Sequence, residues 1–229
     1  MPLILVAAEP ADAARIADIH MAAFSSNAML LAQFPTPAVR NALKESIELK
    51  ALADINDSKT TVLVVRDSDS TTSINTAEPG GDEQNPDRRG LGEAIAFAKW
   101  AHPISTNEDY TEPHWIWPAG TDSKLLRDWA NKTEESQKHA VGDSPCYRLT
   151  FMGTDPDYER RGAATMMVQW GMNQSGKDHV PAYLESTLEA APFYTKLGFV
   201  DVERISLQYE TRDSKASKVY EEICFVYNI

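Results

Sequence analysis

Asp155-Pro156-Asp157-Tyr158-Glu159-Arg160-Arg161-Gly162-Ala163-Ala164-Thr165 is the stretch on which the reading of this chain turns. It follows a run, 146–154, with the composition of a strand, and Asp-Pro-Asp marks a turn. From Arg161 to about Gln174 the spacing predicts a helix with Ala163, Met166, Met167 and Trp170 on one face. The first amides of a helix have no intrahelical acceptor, so they point outward, and the helix dipole adds partial positive charge there. Gly162 and Ala164 leave room for a pyrophosphate to approach that backbone, and Arg160 and Arg161 add charge. A plain helix start with two solvated arginines fits the same residues. The stretch is neither a nucleoside-triphosphate loop, since no Gly-Lys-Ser/Thr follows, nor a dinucleotide fingerprint.

About thirty residues on stands Leu184-Glu185-Ser186-Thr187-Leu188-Glu189-Ala190-Ala191-Pro192-Phe193-Tyr194-Thr195-Lys196-Leu197-Gly198-Phe199. It reads as a strand, 180–186, and a short helix, 190–197, stopped by Gly198. Together the two stretches resemble motifs A and B of the GNAT superfamily of acetyltransferases. The signature Gln/Arg-x-x-Gly-x-Gly/Ala falls on Glu159-Arg160-Arg161-Gly162-Ala163-Ala164, with Glu159 in place of the usual Gln or Arg; motif B ends in Tyr-x-Lys-Leu-Gly-Phe. The resemblance is detailed over 146–202 and topological before it. It implies an α+β GNAT fold: a mixed, twisted central β-sheet of about six to seven strands flanked by helices, one domain over 1–229 with two loop insertions.

Outward from these motifs, the element order expected is β-α-α-β-β, an insertion, then β-α-β-α-β-β. Residues 3–6 form a short strand. Asp12 is a candidate N-cap for a helix burying Ala13, Ile16, Ile19 and Ala23. Phe34-Pro35-Thr36-Pro37 breaks that helix, and a second, from about 38 to 52, uses Val39, Leu43 and Ile47. Strands 60–66 and 92–100 form a hairpin around 68–90, a segment too poor in apolar residues to offset its ordering and therefore expected as a flexible loop. The insertion 103–144 carries His114, Trp115, Trp117 and Trp129, and within it Asp122 can cap a helix with Leu125, Leu126, Trp129 and Thr133 on one side. Its aromatics either pack the loop down or touch a substrate. Residues 199–209 and 219–229 alternate as a terminal hairpin.

The resemblance also implies a site. Backbone groups of Met152, Gly153 and Thr154 would pair with the pantetheine arm of acetyl-CoA where the strand splays from its neighbour, with Gly153 serving a bulge or merely tolerated at a strand end. Glu159, Arg160, Arg161, Gly162, Ala163, Ala164 and Thr165 would cradle the diphosphate, Thr187 would touch the coenzyme, and Lys196 would meet a phosphate. Tyr194 stands where relatives place the phenol that protonates the leaving thiolate; a core aromatic is its other reading. Glu185, Glu93 and His114 are candidates for the general base, Glu185 foremost. Phe24, His114 and Trp115 are candidates for acceptor contact.

Composition narrows the partners. The formal charge of −12 argues against broad nucleic-acid binding. No apolar run approaches the roughly 18 residues of a membrane span, and the opening MPLILVAAEP lacks a basic leader. The two cysteines, Cys146 and Cys224, have no metal-ligand spacing, so no metal is expected and a reduced, cytoplasmic setting fits. The expected activity is acetyl transfer from acetyl-CoA to the primary amine of a small molecule by a monomer or homodimer. A protein or peptide N-acetyltransferase and a non-catalytic acyl-CoA-binding module are the alternatives.

Overall fold

The computed structural model describes residues 3–68, 92–105, 108–211 and 214–229; the expected loop 68–90 lies, apart from Ser68, outside them. Leu3–Ala7 (β1), Thr60–Asp67 (β2), Ala94–Ala101 (β3), Tyr147–Thr154 (β4), Ala182–Thr187 (β5), Val200–Thr211 (β6) and Ser214–Tyr227 (β7) form one seven-stranded sheet in the order β1-β2-β3-β4-β5-β7-β6. Only β4 and β5 run parallel; every other neighbour pair is antiparallel. The mixed α+β sheet expected from the motifs is the one observed. Among the described residues no helix is long and apolar enough to cross a membrane.

Strand periodicity sorts the central residues onto two faces. Val62, Val64 and Phe97 pack with Ile16 and Ile19 of Ala13–Ala23 (α1) and Ala51 of Pro37–Ile55 (α3). Their neighbours Leu63, Val65, Ala96, Ala98 and Trp100 pack with Ala163 and Met167 of Ala163–Asp178 (α5). Because both faces are covered, β3 is buried from Ala94 to Trp100.

Two local signals read differently in three dimensions. Asp12 precedes α1 but makes no side-chain cap there; its carboxylate accepts from Arg66 Nη2 at 2.6 Å and from the Glu9 amide at 2.9 Å. Between the two expected helices lies a third, Ala28–Gln33 (α2), capped by Asn27, whose Oδ1 accepts from the Leu30 amide at 2.9 Å. Six residues are too few to show a helical period. α3 begins at Pro37, earlier than expected, because proline is tolerated in the first turn and Thr36 caps Val39. Asp122 caps Ser123–Val141 (α4) as expected, accepting from the Leu125 amide at 3.0 Å. A final short helix, Ala191–Lys196 (α6), follows β5.

The feature that shapes the site is in β4. Its pairing with β5 ends after Leu149 opposite Leu184, although both strands continue. On its other edge β4 keeps pairing with β3 through Thr154, with one irregularity: Lys99 faces Phe151 and Trp100 faces Leu149, leaving Thr150 as the extra residue. The bulge is therefore at Thr150 and not at Gly153. Gly153 stands at a close approach, since a Cβ there would lie 3.0 Å from Phe97 Cε1 and 3.3 Å from Ala23 Cβ.

Gly171 has the same role more sharply on α5: a Cβ would come within 2.2 Å of the indole of Trp100, which is fully buried and donates from Nε1 to the Met167 carbonyl at 3.2 Å. Gly171→Ala should therefore lower unfolding free energy by about 3 kcal/mol, measured by urea titration. A loss within experimental error would show that the indole repacks freely.

Candidate active site

Where β4 and β5 part, a cleft of about 1080 Å³ opens. Its floor is Arg148, Leu149, Thr150, Phe151 and Met152 of β4 with Glu185, Ser186 and Thr187 of β5; Tyr220 and Glu222 of β7 and Tyr194 of α6 close one side. α1, α2 and the insertion supply the other wall through His20, Phe24, Phe34, Trp115 and Trp117. The splayed strand expected for a pantetheine arm is present, and Met152 and Thr187 line it.

The turn after β4 lies beyond the cleft's lining. Asp155 Oδ1 accepts from the Asp157 amide at 3.1 Å, and its Oδ2 is held by Arg15 Nη2 at 2.6 Å, which ties the turn to α1. Gly162 has φ +96°, a conformation only glycine adopts without strain, and a Cβ there would meet nothing within 4 Å. The first helical bond of α5 is Met166 N to Gly162 O at 3.2 Å, so among the described residues the amides of Gly162, Ala163, Ala164 and Thr165 have no backbone acceptor. Open space, unpaired amides and a helix N-terminus meet there, which suits a diphosphate. The charges differ from expectation: Arg161 Nη1 is bound to Asp67 Oδ2 at 2.6 Å, so its field at an anion is offset. Arg160, Glu159 and Lys196 are exposed.

Tyr194 is a packed aromatic at the edge of the cleft. Its ring is 6% exposed and packs against Phe193, Phe199 and Phe225. Its hydroxyl bonds to no described residue and, unlike the Arg148 Nε, is not sealed from solvent, so it faces the cleft. Burial, with Glu222 nearby, raises its proton affinity well above that of an ordinary phenol.

The base candidates separate cleanly. Glu93 is tied to Arg15 at 3.1 Å, and His114 is exposed and outside the cleft's lining. Glu185 lines the cleft but accepts from Arg148 Nη2 at 2.7 Å. Glu222 was not legible in advance. It occupies the β7 position opposite Thr187, and Tyr220 Oη donates to its Oε1 at 2.7 Å while accepting from Asn27 Nδ2 at 2.9 Å. Burial is the main cause that pushes its carboxyl up to about 7; Glu185 adds to it, while the Tyr220 bond and Arg148 oppose it. The signal in sequence was only a polar residue in an apolar strand, two places from Tyr220.

Of the acceptor candidates, Phe24 and Trp115 line the cleft and His114 does not. Trp117 joins them, stacked on Trp115 with centroids 4.6 Å apart. Behind Trp115 lie Lys50 and Lys99, their Nζ atoms 5.8 and 5.7 Å from its ring centre, both bonded to the buried Asp54. Packing and lining are one arrangement here.

Comparison with known proteins gives the same picture. Residues 105–199 match the model of the acetyltransferase (GNAT) family. A stretch of 41 residues is 46% identical to a probable acyltransferase, SID5, of Ajellomyces capsulatus, covering 18% of this chain and 30% of that protein's length. Among solved structures, a histone acetyltransferase HPA2-related protein of Corynebacterium glutamicum aligns at TM-score 0.55 and 17% identity, over 100% of this chain and 97% of that one. Drosophila melanogaster polyamine N-acetyltransferase aligns at 0.55 and 12%, over 100% of both. The NAA60 protein of Arabidopsis thaliana, solved with acetyl-CoA, aligns at 0.52 and 15%, over 99% and 98%. At these identities the structures speak for the fold, which this chain shares.

The elevated Glu222 carboxyl has a measurable consequence. The folded chain holds this proton more tightly than the unfolded chain, so stability falls as pH rises from the ordinary 4.5 through about 7. That window corresponds to roughly 3 kcal/mol. Glu222→Gln should therefore be more stable than the parent at pH 8 and nearly equal to it at pH 4.5, by chemical denaturation. Equal differences at both values would contradict the assignment.

Proposed function

We propose that this chain, whose residues 105–199 match the GNAT acetyltransferase family, is a member of that superfamily and transfers an acetyl group from acetyl-CoA to the primary amine of a small molecule by direct attack within one cleft. The observation that carries this reading is the continuity of the cleft. One opening joins the unpaired edge of β4, the phenol of Tyr194 and a walled aromatic chamber. The turn that fits a diphosphate follows the same strand, so coenzyme and acceptor would meet at the parting of β4 and β5.

Each group in the cleft has a physical task. The amides of residues 162–165 receive the diphosphate, and Gly162 supplies the clearance. The β4 edge at Met152, Gly153 and Thr154 faces away from β3 without a β5 partner and offers backbone groups to the pantetheine amides. Thr187 lines the passage between them. Tyr194 remains protonated across the physiological range and donates to the departing sulfur. Holding amine and thioester together supplies much of the rate by orientation. The chamber is enclosed by α1, α2 and the insertion, which favours a compact acceptor over a protein tail. An agmatine N-acetyltransferase and a polyamine N-acetyltransferase share the fold, which is consonant with a small amine as acceptor.

Thiol release from acetyl-CoA across a panel of primary amines tests the activity; release with peptide amines alone would replace the small-molecule reading. Tyr194→Phe should lower kcat about 10²-fold while leaving CoA affinity, measured by calorimetry, unchanged. Unaltered turnover would remove Tyr194 as the acid. Gly162→Glu, which forces a side chain onto φ +96° and a charge into the anion's space, should weaken CoA binding at least roughly tenfold. Full affinity would contradict the cradle.

A further inference from the structure

The geometry points to an acceptor whose primary amine sits on Glu222 and whose body is a flat, apolar, preferably aromatic group carried on a short chain, with Glu222 as the base that takes the amine's protons. This inference rests on the acetyl-transfer reading and narrows it to one substrate class and one further catalytic residue.

The chamber wall is a continuous series of ring contacts. Phe24 lies 4.8 Å from His20, His20 5.0 Å from Phe151, Phe151 6.0 Å from Trp115, Trp115 4.6 Å from Trp117, and Trp117 5.9 Å from Phe34, centroid to centroid. All six line the cleft. The wall carries no charge of its own: burial and the nearby Lys99 depress the His20 imidazole to about 3, so it stays neutral. The two ammonium groups behind Trp115 are held by Asp54, and Lys50 also by Glu112. Such a surface favours a flat apolar body over a charged chain laid along it.

Across the cleft the sheet side presents Arg148, Glu185, Tyr220 and Glu222, and α4 adds Arg127, Glu134 and Lys138. Arg148 and Glu185 neutralise each other, which leaves Glu222, among the described residues on the sheet side of the cleft, as the carboxylate without an ion pair. The Asn27–Tyr220–Glu222 chain fixes its orientation from α2's cap to β7. The groups facing it are Tyr194, Tyr220, Glu185 and Arg148. A substrate ammonium placed there gains a hydrogen-bonded counter-ion in a low-dielectric cleft.

The proton balance closes. Glu222 takes one proton from the ammonium and passes it to solvent. The freed nitrogen lone pair forms the C–N bond at the thioester carbonyl carbon, and the C–S bond breaks as Tyr194 gives its proton to sulfur. Glu222 takes the second nitrogen proton and returns it to the Tyr194 oxygen. One amide, one thiol and one released proton result.

The test uses the purified chain with acetyl-CoA and compares 2-phenylethylamine and tryptamine with putrescine and agmatine by thiol release. The aryl amines should show kcat/KM at least roughly tenfold higher. Trp115→Ala should raise KM about tenfold for the aryl amines and by a smaller factor for the linear ones. Glu222→Gln should lower kcat/KM about 10²-fold or more, abolish the limb near pH 7 and leave CoA affinity intact. Quenching of tryptophan fluorescence by 2-phenylethylamine should persist in Glu222→Gln, more weakly, showing that the variant is folded. Acetylation with equal or greater preference for linear diamines, or a Glu222→Gln enzyme with an unchanged pH profile, overturns this inference alone. Absence of CoA binding overturns the acetyl-transfer reading, and this inference with it.

Discussion

The parting of β4 from β5 is the constraint on which everything else depends. Parallel neighbours at the centre of a sheet normally satisfy each other's backbone groups along their length. Here the ladder stops at Leu149 and Leu184, and the extra residue Thr150 marks the place. β5 remains paired on its other side with β7 through Thr187, so the sheet is not broken, only opened along one edge. β4 runs on as far as Thr154 with its free edge toward the gap. The next turn and α5 then stand at the end of that edge, and α6 begins where β5 ends. The turn that opens α5 and the phenol of α6 both follow strands that diverge there, the phenol lining the cleft and the turn lying beyond it.

The chamber's rigidity has a different origin. The segment before α4 is anchored by Lys59 with Glu108, by Tyr110 Oη donating to Asp57 at 2.6 Å, and by Lys50 with Glu112. Glu108 and Glu112 are partly exposed, so the salt bridges are individually weak. What fixes Trp115 is the buried part of the cluster. Lys50, Asp54 and Lys99 are each at most 5% exposed, and two ammonium groups against one carboxylate need a further electron-rich partner. Glu112 and the indole face provide it. Burial lowers the Lys99 proton affinity despite Asp54, whereas Asp54 and Glu112 raise that of Lys50 over the same opposing burial. The wall of the cleft is thus set from beneath by charge and from the side by ring stacking.

Legibility in the sequence followed the range of the interactions. The turn at residues 155–165 is local: small residues and a helix start are encoded within a few positions, and the helix begins at Ala163, two residues later than expected, because Gly162 takes a left-handed conformation just before it. Tyr194 was legible because a short helix after a strand delivers it at a fixed spacing from the turn. Asp12 was misread because a tertiary partner, Arg66, outcompeted the cap. Arg161 likewise went to Asp67, 94 residues away in sequence. Glu222 was hidden for a plainer reason. Nothing near it in the chain distinguishes it from Glu221, whose side chain lies on the opposite face of β7; only the register with Thr187 puts one of the two into the cleft.

That register also explains why two neighbouring carboxylates on one sheet face have different fates. Glu185 lies within reach of Arg148, so its charge is compensated where it stands. Glu222 is one strand further from that arginine and meets only the weaker donation of a phenol. Burial is therefore the largest influence on it, with Glu185's own charge adding to the effect and the Tyr220 bond and Arg148 opposing it. The same burial, with Glu222's charge, holds the proton on Tyr194. Phenol and carboxyl are thus held apart in state by their common surroundings: the phenol is kept protonated, and the carboxyl is brought up to about 7. A single arginine, by taking one carboxylate and leaving the other, sets that division.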